Sequence, residues 1–224
     1  MRISRFAKSI LIFVAISVIL VAPASAIDGA LNLPSTIVDI EVSDGTQSYF
    51  DTLLSEVPSG YDVTNATYLG WCVDSRATMS RSPATHEVRL FSSIDPPAEL
   101  ADQKWDMVNY ILNHKRGVIA DVQQAIWYFI IFDGNYTPTR SVAWEIVNET
   151  LQNGEGYIPV EGQTVAVICY PLIYSHQTDV QVSIIEVESS IVIPEFPSAL
   201  VLTPIMLTIS LAVLVSTKKR RAPR

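Results

Sequence analysis

The hydrophobic period changes twice along this chain, and those changes limit its possible folds more than any other feature. Thr36-Ile37-Val38-Asp39-Ile40-Glu41-Val42 alternates as a strand does, Thr67 to Val73 reads as a second strand, and Glu87-Val88-Arg89-Leu90-Phe91 as a short third. After the break at Ser93-Ile94-Asp95-Pro96-Pro97 the period becomes helical. Trp105, Val108 and Leu112 mark one face of a helix from about Glu99 to Lys115, with Gly117 as its C-cap. The next helix opens at Asp121, a good N-cap, with Gln124 placed to reach back in a capping box. Val122, Ala125, Ile126, Phe129 and Ile130 form its apolar stripe, and it stops near Asp133-Gly134. A third helix follows Pro138-Thr139, carries Ala143, Ile146, Val147, Thr150 and Leu151 on one face, and closes at Asn153-Gly154. Thr164 to Tyr170 and Val180 to Val187 then return to β-branched strand composition. The expected fold is α+β, a β-rich core from the N- and C-terminal portions with an inserted three-helix subdomain.

Both ends carry targeting features. Arg2, Arg5 and Lys8 precede an apolar run from Ile10 to Val21, and Ala24-Ser25-Ala26 offers a small-residue cleavage site, so residues 1–26 read as a secretory signal peptide. Residues 199–216 are almost wholly apolar and read as a transmembrane segment, with a basic cytoplasmic tail over 217–224 that includes Lys218, Lys219, Arg220 and Arg221. Just before it, Pro194-Glu195-Phe196 sits in the linker 191–198. A Pro-Glu-Phe motif, an apolar segment and a basic tail in that order resemble the PEF-CTERM sorting signal of archaeal surface proteins. The resemblance implies processing by an archaeosortase-like enzyme that exchanges the segment for a lipid anchor; an ordinary membrane anchor is the alternative. Either places residues 27–190 outside the cell as a tethered domain, with its helical part at about 99–153.

Within residues 27 to 193 there are seven Lys/Arg against twenty-two Asp/Glu, about fifteen net negative charges. Such a surface repels nucleic acid and anionic lipid, and it favours cationic, amine-bearing partners. Three sequons, at Asn65, Asn135 and Asn148, suit N-glycosylation of an exported protein.

The chain has two cysteines. Cys72 lies in the aromatic run Tyr68-Leu69-Gly70-Trp71-Cys72, and about fifty residues later comes Gln123-Gln124-Ala125-Ile126-Trp127. An aromatic-Cys segment followed by Gln-x-Ala-Ile-Trp resembles the thioester, or TQXA, domains of cell-surface adhesins. It departs from that pattern at Val122, where the family name has Thr. The resemblance implies a thioester between Cys72 and Gln123, shielded from water by Trp71, Trp127 and Tyr128. It implies attack by an amine, a partner's lysine or a polyamine, in single-use covalent binding and not in enzymatic turnover. The competing expectation is a Cys72–Cys169 disulfide in a non-covalent surface or envelope protein, because an exported chain with two cysteines pairs them by default.

Other chemistry has less behind it. His86, His114 and His176 show no metal-ligand spacing, and no metal or cofactor is expected. A Cys72–His114 hydrolase lacks any local protease signature. Asp74 is read either as a residue that orients the site or as an exposed turn carboxylate. Trp105 and Trp127 at helical spacing read as core.

Overall fold

The computed structural model describes residues 31–74, 78–130, 136–172 and 180–189. The signal peptide, the Pro194-Glu195-Phe196 motif, the apolar segment and the basic tail expected from sequence lie outside these residues. Among the described residues no helix is long and apolar enough to cross a membrane.

Six strands, β1 (Val38–Asp44), β2 (Phe50–Ser55), β3 (Thr67–Cys72), β4 (Thr85–Ser92), β5 (Thr164–Pro171) and β6 (Ser183–Glu188), close into a barrel in the order β1-β2-β3-β6-β5-β4. Every neighbouring pair is antiparallel, and the seam closes where Val38 to Glu41 pair with Val88 to Thr85. Three helices, α1 (Trp105–Asn113), α2 (Ile119–Phe129) and α3 (Ser141–Asn153), connect β4 to β5.

This closed barrel corrects the expected β core with an inserted three-helix subdomain. The helices have no separate core. Val108 and Ile111 of α1, Val122 and Ile126 of α2, and Ile146 and Val147 of α3 share one apolar cluster with Trp71, Ala166, Ile168 and Ile184 of the barrel wall. Inward residues of all six strands make the second cluster, among them Ile40, Leu54, Cys72, Leu90, Cys169 and Ile185. β5 is therefore buried on both faces, and Val165 to Cys169 are wholly inaccessible. A near-continuous apolar run is what such a strand requires.

Local boundaries follow from hydrogen bonding. The helix expected from about Glu99 divides into a single 3₁₀ turn at Ala98–Leu100 and α1, which starts at Trp105. Asp121 is not the N-cap of α2 but its third residue; its carboxylate accepts the N–H of Val118 at 2.9 Å and pairs with Arg140. Gln124, expected to cap, instead accepts the N–H of Thr139 at 2.9 Å and so joins α2 to the start of α3. Side-chain amides also tie helices to the barrel: Asn113 of α1 accepts the N–H of Thr164 and donates to its carbonyl, both at 2.8 Å.

Candidate functional site

β3 outruns one of its neighbours. Its pairing with β2 ends at Gly70 opposite Phe50, whereas its pairing with β6 continues to Cys72 opposite Ser183. The Cys72 peptide would be left unpaired on the β2 side, and α2 supplies the missing partner. Gln123, 1% exposed, accepts the Cys72 N–H through Oε1 at 3.0 Å and donates through Nε2 to the Cys72 carbonyl at 2.7 Å. Gly70 permits the close approach of β2, since a Cβ there would stand 2.4 Å from Thr52 Oγ1.

The Gln123 amide thus hydrogen-bonds the Cys72 peptide, while the amide at the sulfur belongs to another residue. Cys72 Sγ lies 2.7 Å from Gln181 Oε1 and 3.3 Å from the Asp74 carbonyl oxygen. The Gln181 carbonyl carbon, one C=O bond of about 1.23 Å beyond its oxygen, is therefore no more than about 3.9 Å from the sulfur. Gln181 is 5% exposed and Cys72 is 3% exposed. Both line a cleft of about 540 Å³ with Asp44, Tyr49, Asp74, Arg81 and Trp127. Burial pushes the Cys72 thiol up to about 11, and the Trp127 indole N–H works against that rise.

The two cysteines are free. Cys72 on β3 and Cys169 on β5 both pair with Ser183 of β6, from opposite sides. Two strand spacings, about 9–10 Å, separate them, and a disulfide requires Cα atoms within about 7 Å. The expected Cys72–Cys169 bridge does not form for that reason. Cys169 is fully buried, and burial pushes its thiol up to about 12.

The residues expected to shield the site are divided by strand and helix geometry. Trp127 lines the cleft. Trp71 is on the opposite face of β3 from Cys72, packed among the helices, with its Nε1 donating to Glu186 at 2.7 Å. Tyr128 packs edge-on against Phe129 and Trp144 and is absent from the cleft wall. Asp74 is fully buried, so the exposed-turn reading fails. His86 contacts the Ser80 carbonyl and His114 stacks on Tyr110, neither in the cleft. Asn65 and Asn148 are exposed, but Thr150 of the Asn148 sequon is buried and donates to the Ile146 carbonyl at 2.8 Å. Asn135 and His176 lie outside the described residues.

Gln181 is the residue that sequence reasoning passed over. Val180-Gln181-Val182-Ser183-Ile184 was legible as β-type sequence, and its alternation places Gln181 with Ser183, Ile185 and Val187 on one side. Ile185 and Val187 belong to the inward cluster. A glutamine on the inward parity of an apolar strand is a costly buried amide that needs a partner, and that was the available signal.

No family model matches the sequence, and no curated protein does. Among solved structures, the N-terminal thioester domain of a surface protein from Clostridium perfringens is similar at 13% identity and a TM-score of 0.42, over 67% of this chain and 98% of that one. A likeness at this level leaves the chemistry to be argued from the residues themselves.

Proposed function

We propose that this protein forms an internal thioester between Cys72 and Gln181 and spends it in covalent attachment to an amine on a partner. The observation that carries the reading is the 2.7 Å approach of the buried Cys72 Sγ to the buried Gln181 amide in the wall of an open cleft. The acyl role that the sequence resemblance assigns to Gln123 passes in this reading to Gln181. Gln123 becomes a positioning residue that fixes the Cys72 peptide, and with it the direction of the sulfur.

The chemistry is balanced without a cofactor. The Cys72 sulfur adds to the Gln181 carbonyl carbon, the C–N bond breaks, and ammonia leaves with the thiol proton. Holding Cys72 at the end of β3 and Gln181 two residues before the neighbouring β6 supplies the proximity that such an addition needs. A neutral amine then adds to the thioester carbon, the C–S bond breaks, and Cys72 is released as a thiol. Burial pushes that thiol up to about 11, so the departing sulfur takes up the amine's proton and leaves as the neutral thiol. Each molecule reacts once, so the protein is a covalent binder and not an enzyme. Asp44 and Asp74 on the cleft wall favour an amine-bearing partner. The export and anchoring features at the two ends of the sequence would present this site at the cell surface, in an adhesin-like role.

Intact mass spectrometry tests the proposal. The full-length chain should be short by one ammonia, regain mass as an amide with methylamine, and show no deficit as Cys72→Ala or Gln181→Ala. An undiminished mass in the unsubstituted chain overturns the thioester. A deficit that survives Gln181→Ala but disappears in Gln123→Ala returns the acyl role to Gln123.

A further inference from the structure

We propose that the indole N–H of Trp127 is the hydrogen-bond donor to the Cys72 thiolate, both when the sulfur attacks Gln181 and when an amine expels it. The inference rests on the thioester reading for its place in a reaction. The donor itself is argued from the cleft.

Among the described residues the buried Trp127 Nε1 has no partner at full hydrogen-bond geometry, yet it lies close enough to the Cys72 sulfur to oppose the rise that burial imposes on the thiol. Buried N–H groups are nearly always partnered, so an orphan beside a reacting atom points to a partner present only in another state. The ring packs against two others, Tyr49 edge-on at 5.8 Å and Tyr136 tilted at 5.2 Å. It lines the same cleft as Cys72 and Gln181.

The charged and titratable groups around this cleft narrow the choice of donor. Asp44 and Asp74 are acidic and oppose a thiolate. Arg81, the cation among the lining residues, is engaged with Asp44 at 3.0 Å and lies over the Phe50 ring at 4.6 Å. Tyr49 has its own hydroxyl pushed up by burial and by the nearby Cys72. A neutral donor that does not ionise in the accessible pH range suits a sulfur that must alternate between charged and uncharged states. The thiol and the thioester sulfur accept hydrogen bonds weakly, so the N–H is unsatisfied in the resting protein and satisfied only as negative charge develops.

The test uses the full-length chain with Gln181→Ala, which keeps the Cys72 thiol free, and Cys169→Ala, which leaves one reactive cysteine. In that background Trp127 is compared with Trp127→Phe and with 3-benzothienylalanine at 127, which keeps the bicyclic shape and replaces N–H by sulfur. Iodoacetamide alkylation should be about tenfold slower in both variants at mildly alkaline pH, well below the value near 11 at which the thiol ionises, as a rise of one pKa unit requires, and the difference should shrink as pH approaches it. An unchanged rate in the benzothienyl variant overturns the proposal, and so does slowing confined to Phe, which would indicate packing alone. The readout needs no thioester. A mass deficit with unchanged alkylation removes only the Trp127 role, whereas slowed alkylation without a deficit removes only the thioester.

Discussion

The Gln123 side chain and the Cys72 peptide hydrogen-bond in both directions, at 3.0 and 2.7 Å, across fifty-one residues of sequence. The glutamine occupies the place that a further residue of β2 would take. Gln123→Ala leaves a buried N–H and a buried carbonyl unsatisfied, each costing about 1–3 kcal/mol. The expected loss is about 2–4 kcal/mol, read as a lower urea midpoint at unchanged slope. A loss within error of zero would show that water or a neighbour replaces the amide.

Gly70→Ala should destabilise by about 1–3 kcal/mol, because its Cβ would stand 2.4 Å from Thr52 Oγ1. That oxygen is buried and has no hydrogen-bond partner. Removing it with Thr52→Ala should cost little alone and relieve part of the Gly70→Ala penalty. The contacts at 3.1 and 3.3 Å to Phe50 make the rescue incomplete. A double-mutant cycle by denaturant titration measures this coupling.

Thermal stability should not respond to reductant, since neither cysteine is bridged. Cys169→Ala should cost about 1 kcal/mol as a small cavity, well short of the roughly 2–5 kcal/mol lost with a native disulfide. A melting temperature that falls by many degrees in dithiothreitol would contradict the separation of the two cysteines across Ser183.

Acid should weaken the anchoring of α2. Burial alone would raise the Asp121 carboxyl, but Arg140 and the Val118 N–H outweigh it and hold the group below its ordinary range. A depressed folded value means the pair stabilises above the unfolded value near 3.9, and the contribution disappears as pH falls through that value toward the folded one. Arg140 is 45% exposed, so solvent screening limits the effect to about 1 kcal/mol. Asp121→Asn should lose that amount at pH 7 and differ little from the parent near about pH 2, by urea titration.

Much of the local structure was legible before any coordinates. Five strands and three helices were expected close to where they stand, because each has a clear apolar period. β2 was missed: Thr52 occupies an inward position and Leu53 is 41% exposed, which blurs the alternation of Phe50 and Leu54. Barrel closure was not legible, since periodicity assigns faces to strands but not the β1–β4 pairing that closes the sheet. Asp121 could not be identified as an internal helix residue, because its partner Arg140 is nineteen residues away. At the site, Cys72 was singled out by its aromatic setting and Gln123 by its motif. Which glutamine meets the sulfur depends on β6 lying beside β3, a relationship between residues 109 positions apart.

That neighbouring of β3 and β6 has a mechanical consequence. Cys72 and Gln181 bracket the stretch of chain that holds β4, all three helices and β5. A covalent link between them would let tension entering before β3 pass directly into β6 and on toward the C-terminal side. Everything from residue 73 to 180 would then lie off the load path, while cleavage of the link by an amine would return that stretch to it and transfer the strain to the bond made with the partner.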